Sequence, residues 1–212
     1  MHRRIQIHPR SLFAEAMTRL RGRDQLLITA GDELPLVVAS YPRGSYSFAI
    51  SLQSALGSTF RSIHPELRET YQGVFQGAPS LVVVILRARN RCTCLGHHHL
   101  TGTESRLARR LSADTGRHVG EIDLAVEGIR QWQPLPLSSL AVASADGTNQ
   151  AAQAELEHWR FHAALLTIFL HEMEHLTFPE RPEPEVRLRS NEFYRGALRQ
   201  FAAQEFGVAF GI

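Results

Sequence analysis

The five residues His-Glu-Met-Glu-His, at positions 171–175, directly follow one of the longest apolar runs of the chain, AALLTIFL. Such a run is typical of the protein interior, where polar and charged side chains are costly to bury unless a partner compensates. The sequence here therefore predicts a helix that enters the core and then carries a polar site. It also predicts that something at this site offsets the cost of burying its histidines and glutamates.

The spacing of the two histidines indicates what that partner is. His171 and His175 are four residues apart, so on a helix they lie one turn apart on the same face. Two imidazoles placed in this way can both bind one Zn²⁺ ion. Glu172 is rotated about 100° around the helix axis from His171, which brings its carboxylate close to the open side of the ion. This is the HExxH pattern of zinc hydrolases, in which the glutamate is the general base that activates water.

A catalytic zinc ion normally has three protein ligands and one water molecule, so the chain should supply one more ligand. The glutamates downstream of the motif are Glu180, Glu183, Glu185 and Glu192. The first three lie in the proline-rich segment FPERPEPE, where we expect solvated loop residues. A helical hairpin would carry the following helix back past the first one, and we therefore predict Glu192 as the third ligand.

Hydrophobic patterning predicts an α+β fold with a mixed sheet packed against the long HExxH helix and a C-terminal helix. Strands are indicated at QLLIT, LPLVVAS, SYSFAIS, SLVVVIL, CTCLGHHHL and RHVGEIDLAVEGI. Helices are indicated over 11–21, from about Pro65, between a cap at Thr103 and a stop at Gly116, from Ala151, and over about 185–204. Proline, serine and glycine predict a loop from Pro134 to Gln150.

The length of the chain predicts a single domain over residues 1–212. We assign residues 91–212 to a metal-binding core and leave residues 1–90 as a mixed N-terminal part without an assigned role. Lys+Arg 23 against Asp+Glu 21 gives a net charge of +2, which does not favour a nucleic-acid-binding protein. Arginines gather only locally, in RARNR and RLARR.

No apolar run approaches the roughly 18 residues of a membrane-spanning helix. The first residues, MHRRIQIHPRSLF, lack the apolar core of a signal peptide, and two cysteines are too few for a disulfide framework. We therefore expect a cytoplasmic protein with no membrane partner. Cys92, Cys94 and His98 would share one face of a strand and could form a second, thiolate-rich metal site. Alternatively, a residue of the cluster His97–His99 lines the zinc cleft, or these are ordinary strand and turn residues.

HEMEH followed by a helix that bears Asn-Glu resembles the gluzincin group of zinc metallopeptidases, and the layout is similar to that of SprT-like and ImmA-like peptidases. The resemblance covers about residues 92–207. It implies Zn²⁺ as the cofactor, a glutamate on a later helix as the third ligand, and a strand at the rim of the cleft. GEIDLA, residues 120–125, is in the right place for that strand, where an extended peptide could pair. A plain core strand is the alternative.

The resemblance also implies a tyrosine or histidine that donates a hydrogen bond to the oxyanion, and Tyr194 and His118 are the candidates. The sequence departs from the pattern in two places. The residue four positions after Glu192 is Gly196 rather than aspartate. The third histidine of SprT-like proteins, shortly after HExxH, is also missing.

These observations together predict a zinc-dependent metallopeptidase that acts on a peptide or protein substrate. His171, His175 and Glu192 would bind the ion, Glu172 would be the general base and Tyr194 would assist. One alternative is a non-catalytic protein that binds zinc for structure. A second is a nucleic-acid-associated factor that uses the arginine clusters.

Overall fold

The computed structural model describes residues 24–28, 36–41, 51–52, 55, 65–90, 93–99, 104–132 and 150–206. The strands are β1 (Asp24–Ile28), β2 (Leu36–Tyr41), β3 (Leu81–Arg87), β4 (Gly96–His99) and β5 (Val119–Ala125). The helices are α1 (Pro65–Gly77), α2 (Arg106–Thr115), α3 (Val126–Gln131), α4 (Gln150–Thr177) and α5 (Glu183–Phe206). The predicted α+β class is confirmed, with a mixed sheet packed against the long helix α4 and the C-terminal helix α5.

The five strands form one sheet in the order β1-β2-β3-β5-β4. β2, β3 and β5 run parallel, whereas β1 is antiparallel to β2 and β4 is antiparallel to β5. β3 and β5 lie in the middle, and their near-continuous apolar sequences are typical of strands that are covered on both faces. β1, β2 and β3 come from the first ninety residues, so this part of the chain shares a sheet with the predicted metal-binding core.

The two faces of the sheet pack against different helices. Along β3, Val82 and Val84 join a large apolar cluster with α1, α3, α4 and α5. Leu81 and Val83 point to the opposite side and join a smaller cluster with α2. This division follows from the alternation of side chains along a strand, and it places α4 on one face of the sheet only.

The segment GEIDLA does not lie at the edge of the sheet. It makes up all of β5 except the first residue, and β5 is hydrogen-bonded on both sides and buried along its whole length. The prediction of a rim strand there is wrong, and its alternative, a core strand, is confirmed. Among the described strands it is β4, with the sequence GHHH, that occupies the edge next to α4. The predicted strand RHVGEIDLAVEGI ends at Ala125, where α3 begins.

Local sequence signals explain the ends of helix α2. The Ser105 hydroxyl accepts a hydrogen bond from the Ala108 N–H, as expected of an N-cap residue. Gly116 ends the helix with a φ of 64°, a left-handed conformation that glycine adopts without steric cost. Gly116 is the predicted stop, whereas the cap is Ser105 rather than Thr103.

Three sequence predictions fall wholly or mostly outside the described residues: the helix over 11–21, the strand SYSFAIS and the loop from Pro134. Within the described residues, no helix combines the length and the apolar character that crossing a membrane requires.

Candidate metal site

Helix α4 brings the HExxH residues to the boundary between the core and a cleft. The helix is buried continuously from Arg160 to Leu170, and its apolar side chains pack against the sheet. His171 follows as a partly buried residue, and Glu172 and His175 are buried. The two imidazole rings lie with their centroids 4.9 Å apart. The structure thus places both histidines on one helical face, as their spacing predicts.

The acidic residue that joins the two histidines is Glu183, the first residue of helix α5. Its Oε2 atom lies 2.8 Å from His175 Nε2 and 3.4 Å from His171 Nε2. The three potential ligand atoms all lie within 4.8 Å of one another. Two imidazoles and one glutamate are the donor set of several catalytic zinc sites, so these residues fit a divalent ion. The same donors also suit other first-row divalent metals.

His171 is oriented by a serine on α5. His171 Nδ1 lies 3.0 Å from Ser190 Oγ, and the Ser190 hydroxyl donates to the Val186 carbonyl oxygen at 2.7 Å. Because the serine hydrogen is already used, Oγ accepts from Nδ1–H, and Nε2 is left unprotonated toward Glu183. Burial lowers the pKa of His171, which favours the neutral ring that a metal ligand requires.

Glu183 is held as a carboxylate by its neighbours. Partial burial opposes ionisation, but hydrogen bonds from Arg187 and His175 hold the pKa of Glu183 below its ordinary value. Arg187 Nη2 donates to Glu183 Oε1 at 2.8 Å, so the other oxygen, Oε2, faces the histidines. The position at the N-terminus of a helix also favours a negative charge.

Glu174, the second glutamate of the motif, has a different role from Glu172. It is completely buried and pairs with Arg181 and with Arg189, whose Nε lies 2.8 Å from Glu174 Oε1. Arg181 lies in the connector over 178–182 and Arg189 lies on α5. These ion pairs therefore join the end of α4 to the connector and to α5. They help to keep the start of α5, with Glu183, beside the two histidines.

The Glu172 carboxylate contacts a histidine of the neighbouring sheet. His98 Nδ1 lies 3.0 Å from Glu172 Oε2, and the His98 ring stacks on His175 with centroids 4.9 Å apart. The backbone of β4 can come this close because residue 96 is glycine. A Cβ atom at Gly96 would lie 2.5 Å from Glu172 Oε1 and 2.8 Å from Ile168 Cγ2. The expectation that one residue of His97–His99 lines the cleft is met by His98, which lies beside the candidate metal site.

A cleft of about 650 Å³ lies beside these residues. Its walls come from the end of α4, the start of α5, strand β4 with the residues just before it, and Trp132 after α3. The lining residues include His98, His171, Glu172, His175, Glu183 and Asn191. The cleft therefore gives a ligand direct access to the metal-capable group and to the Glu172 carboxylate.

Glu192 and Tyr194 are not part of this group. Glu192 is nine positions after Glu183, a rotation of about 180° on a helix, and it is exposed. Tyr194 is buried, with its ring 5.1 Å from that of Trp132, and burial raises the pKa of Tyr194 to about 12. Neither residue lines the cleft, and neither does His118, which is exposed before β5.

The sequence contains a signal that a helix begins at Glu183, but the proline-rich composition of the segment favoured a loop. Pro184 lies in the first turn of α5, where a proline is tolerated because the first N–H groups have no helical partner. Glutamates in a first turn are a second sign of a helix start. Ser190 lies seven residues after Glu183 and hence on nearly the same face. The contact between β4 and Glu172 had no comparable local signal.

The thiolate-rich site is the prediction that the structure contradicts here. Cys94 precedes β4 rather than lying within it, and it is disulfide-bonded. A disulfide sulfur is not the thiolate that such a metal site needs. His98 instead points to Glu172, on the side of the candidate metal site.

No protein-family model, curated protein or solved structure matches this chain. What its residues define is a metal-capable group of two histidines and one glutamate between two helices, next to a cleft and a buried carboxylate. His171, His175 and Glu183 form that group.

Proposed function

We propose that this protein is a zinc-dependent metallopeptidase whose ion is held by His171, His175 and Glu183. The observation that carries the proposal is the convergence of both imidazole Nε2 atoms on Glu183 Oε2, at 3.4 and 2.8 Å, next to the buried Glu172. A zinc ion at this place supplies Lewis-acid activation of a carbonyl and of water.

Glu172 is the general base of the proposed reaction. Its Oε2 atom is occupied by His98, which leaves Oε1 to accept a proton from the attacking water. The same oxygen then returns the proton to the leaving amine. His98 is a positioning residue in this scheme, because it holds the carboxylate in one orientation while the proton moves.

The number of protein ligands supports a catalytic rather than a purely structural site. Structural zinc sites normally have four protein ligands, whereas catalytic sites have three. Among the described residues, the group contains His171, His175 and Glu183 and no fourth histidine, cysteine, aspartate or glutamate. A coordination position is therefore free for water or substrate, which disfavours the alternative of a non-catalytic zinc protein.

The position of β4 supports an extended peptide as substrate. Of the strands that the structure describes, β4 pairs only with β5. Its other side can therefore accept a peptide strand through backbone hydrogen bonds. Because Gly96 and His98 line the cleft, such a peptide would pass close to the metal-capable group and Glu172.

Two of the arginines that suggested the nucleic-acid alternative are paired with acidic side chains. Arg87 pairs with Asp123 at 2.9 Å, and Arg89 pairs with Glu127 at 3.1 Å. Acidic partners reduce the positive potential that phosphate binding requires. We therefore keep peptide hydrolysis as the single proposed activity.

The proposal is tested with purified full-length protein, metal analysis and a fluorogenic peptide library. Wild type and the Glu192→Gln control should contain zinc and cleave peptides. Glu172→Gln should keep its zinc but lose about 10²–10⁴-fold in rate, the usual contribution of a general base. Equal cleavage by wild type and Glu172→Gln would overturn the role of Glu172. Failure of wild type to retain zinc would overturn the site itself.

A further inference from the structure

A second group of metal-capable side chains lies on the opposite face of the sheet. Successive residues of a strand point to opposite faces, so His98 and His99 on β4 face different sides. His99 is directly opposite Glu121 in the pairing of β4 with β5. Asp123 is two residues further along β5, on the same face as Glu121, within reach of a diagonal contact from His99.

The distances in this group fit a shared ion better than direct hydrogen bonds. His99 Nε2 lies 3.7 Å from Glu121 Oε1 and 3.6 Å from Asp123 Oδ2. Both separations exceed the usual range for a hydrogen bond. Ligand atoms on a tetrahedral ion with bonds of about 2.1 Å lie about 3.4 Å apart. The three ligand atoms all lie within 4.8 Å of one another.

The two carboxylates are deeply buried. Glu121 is 1% exposed and Asp123 is 8% exposed. Glu121 Oε2 accepts from the Ser105 N–H at 2.8 Å, and Asp123 Oδ2 accepts from Arg87 Nε at 2.9 Å. Among the described residues, the guanidinium of Arg87 is thus the positive partner of a group with two carboxylates.

Two polar atoms of the group are left unsatisfied. Within the part of the chain that the structure describes, His99 Nε2 and Asp123 Oδ1 are buried without a hydrogen-bond partner. Buried polar atoms are normally paired, and each one without a partner costs free energy. A cation between the imidazole and the carboxylates would satisfy these atoms and balance the second negative charge.

We propose that His99, Glu121 and Asp123 bind a second divalent transition-metal ion. One imidazole and two carboxylates suit Zn²⁺ and its first-row neighbours, whereas Ca²⁺ prefers six to eight oxygen ligands. The ion would join β4 to β5 and so hold in place the strand whose preceding residue, His98, contacts Glu172. Its function is structural, and the proposal does not depend on peptidase activity.

The test counts the zinc ions on the full-length protein by elemental analysis after equilibration with zinc and removal of excess ion. Wild type should hold two equivalents of zinc per protein chain. Asp123→Asn and His99→Gln should each hold one, and His171→Ala should also hold one, through loss of the other site. Glu127→Gln is the matched control, since it removes an arginine-paired carboxylate outside the group, and it should keep two.

Two results would overturn the second site. The first is one equivalent in wild type that disappears in His171→Ala, which leaves no ion for His99. The second is two equivalents that persist in both Asp123→Asn and His99→Gln, which means that the extra ion binds elsewhere.

Anomalous scattering at the zinc edge from wild-type crystals decides the question even if a variant fails to fold. A peak beside His99, separate from any peak at His171, supports the site, and its absence overturns the site. Glu172→Gln separates this proposal from the proposed activity, because it should lose hydrolysis and still hold two equivalents.

Discussion

His98 Nδ1 lies 3.0 Å from Glu172 Oε2, although the two residues are 74 positions apart in the chain. The contact joins the edge strand β4 to the helix that carries the metal-capable histidines. It makes the orientation of the proposed general base depend on the sheet as well as on its own helix.

Replacement of His98 by alanine should therefore affect turnover more than metal binding. The Glu172 carboxylate would lose its partner and move away from its working orientation, and small displacements of a catalytic group cost up to about 10²-fold in rate. We expect kcat to fall by about 10- to 100-fold while zinc content is unchanged. The exposed His118→Ala is the control and should behave as wild type. An unchanged kcat in His98→Ala would contradict this role.

Replacement of Gly96 by alanine should weaken the packing of β4 on α4. The added methyl group would lie 2.5 Å from Glu172 Oε1 and 2.8 Å from Ile168 Cγ2, so one element must shift. Overpacking of this kind costs about 1–3 kcal/mol, measurable as a lower free energy of unfolding in urea. Gly73→Ala, in α1, is the matched control, because nothing lies within 4 Å of its added Cβ. It should be neutral or stabilising by up to about 1 kcal/mol.

Glutamine substitution at Glu183 and at Glu192 distinguishes the two candidate ligands. Glu183→Gln should lower zinc affinity by more than about 100-fold, because loss of a residue that merely orients a ligand typically costs about 10–100-fold. Among the described residues, Glu183 is the acidic member of the metal-capable group. Glu192→Gln should keep wild-type affinity because its side chain is exposed on the opposite side of α5. Competition with a chromophoric chelator measures both constants. The reverse order of effects would assign the ligand to Glu192.

His162 should make the stability of the protein depend on pH. Burial, with a smaller effect of the nearby His158, lowers the pKa of His162 from 6.5 to about 4. Between these values the unfolded chain binds more protons than the folded one, so stability falls as the pH falls from about 6.5 to 4. This pKa shift corresponds to a loss of at most about 3 kcal/mol in the free energy of unfolding once His162 is protonated.

Urea unfolding at several pH values, with a chelator present throughout, measures this contribution. The chelator removes the separate effect of metal release at low pH. The loss of stability between pH 7 and 4.5 should be smaller in His162→Phe than in wild type. Parallel curves for the two proteins would show that the protonation of His162 is not linked to folding.

The parts of the site that could be predicted from sequence are those within a single helix. His171, Glu172 and His175 lie on α4, where the spacing of residues alone decides which side chains share a face. The apolar run before them indicated that the helix enters the core. The strands β3 and β5 and the helices α1 and α4 were recognisable for the same reason, since their patterns repeat over short distances.

The place of Glu183 beside the two histidines was not predicted, because it depends on where one helix begins. A start at Glu185 left Glu183 in the connector, whereas the observed start at Glu183 places it beside His175. Ion pairs from Glu174 to Arg181 and Arg189 join the end of α4 to the connector and to α5. Such contacts lie between elements, so helical periodicity does not reveal them.

The sequence by itself determined that His171, Glu172 and His175 lie close together on a helix, at the point where its apolar run ends. Only the tertiary structure decided that Glu183 completes the group, that β4 rather than β5 occupies the edge, and that His98 contacts Glu172. The reason is physical: helical phase is set by the geometry of neighbouring residues, whereas strand order and helix return depend on the packing of residues far apart in the chain.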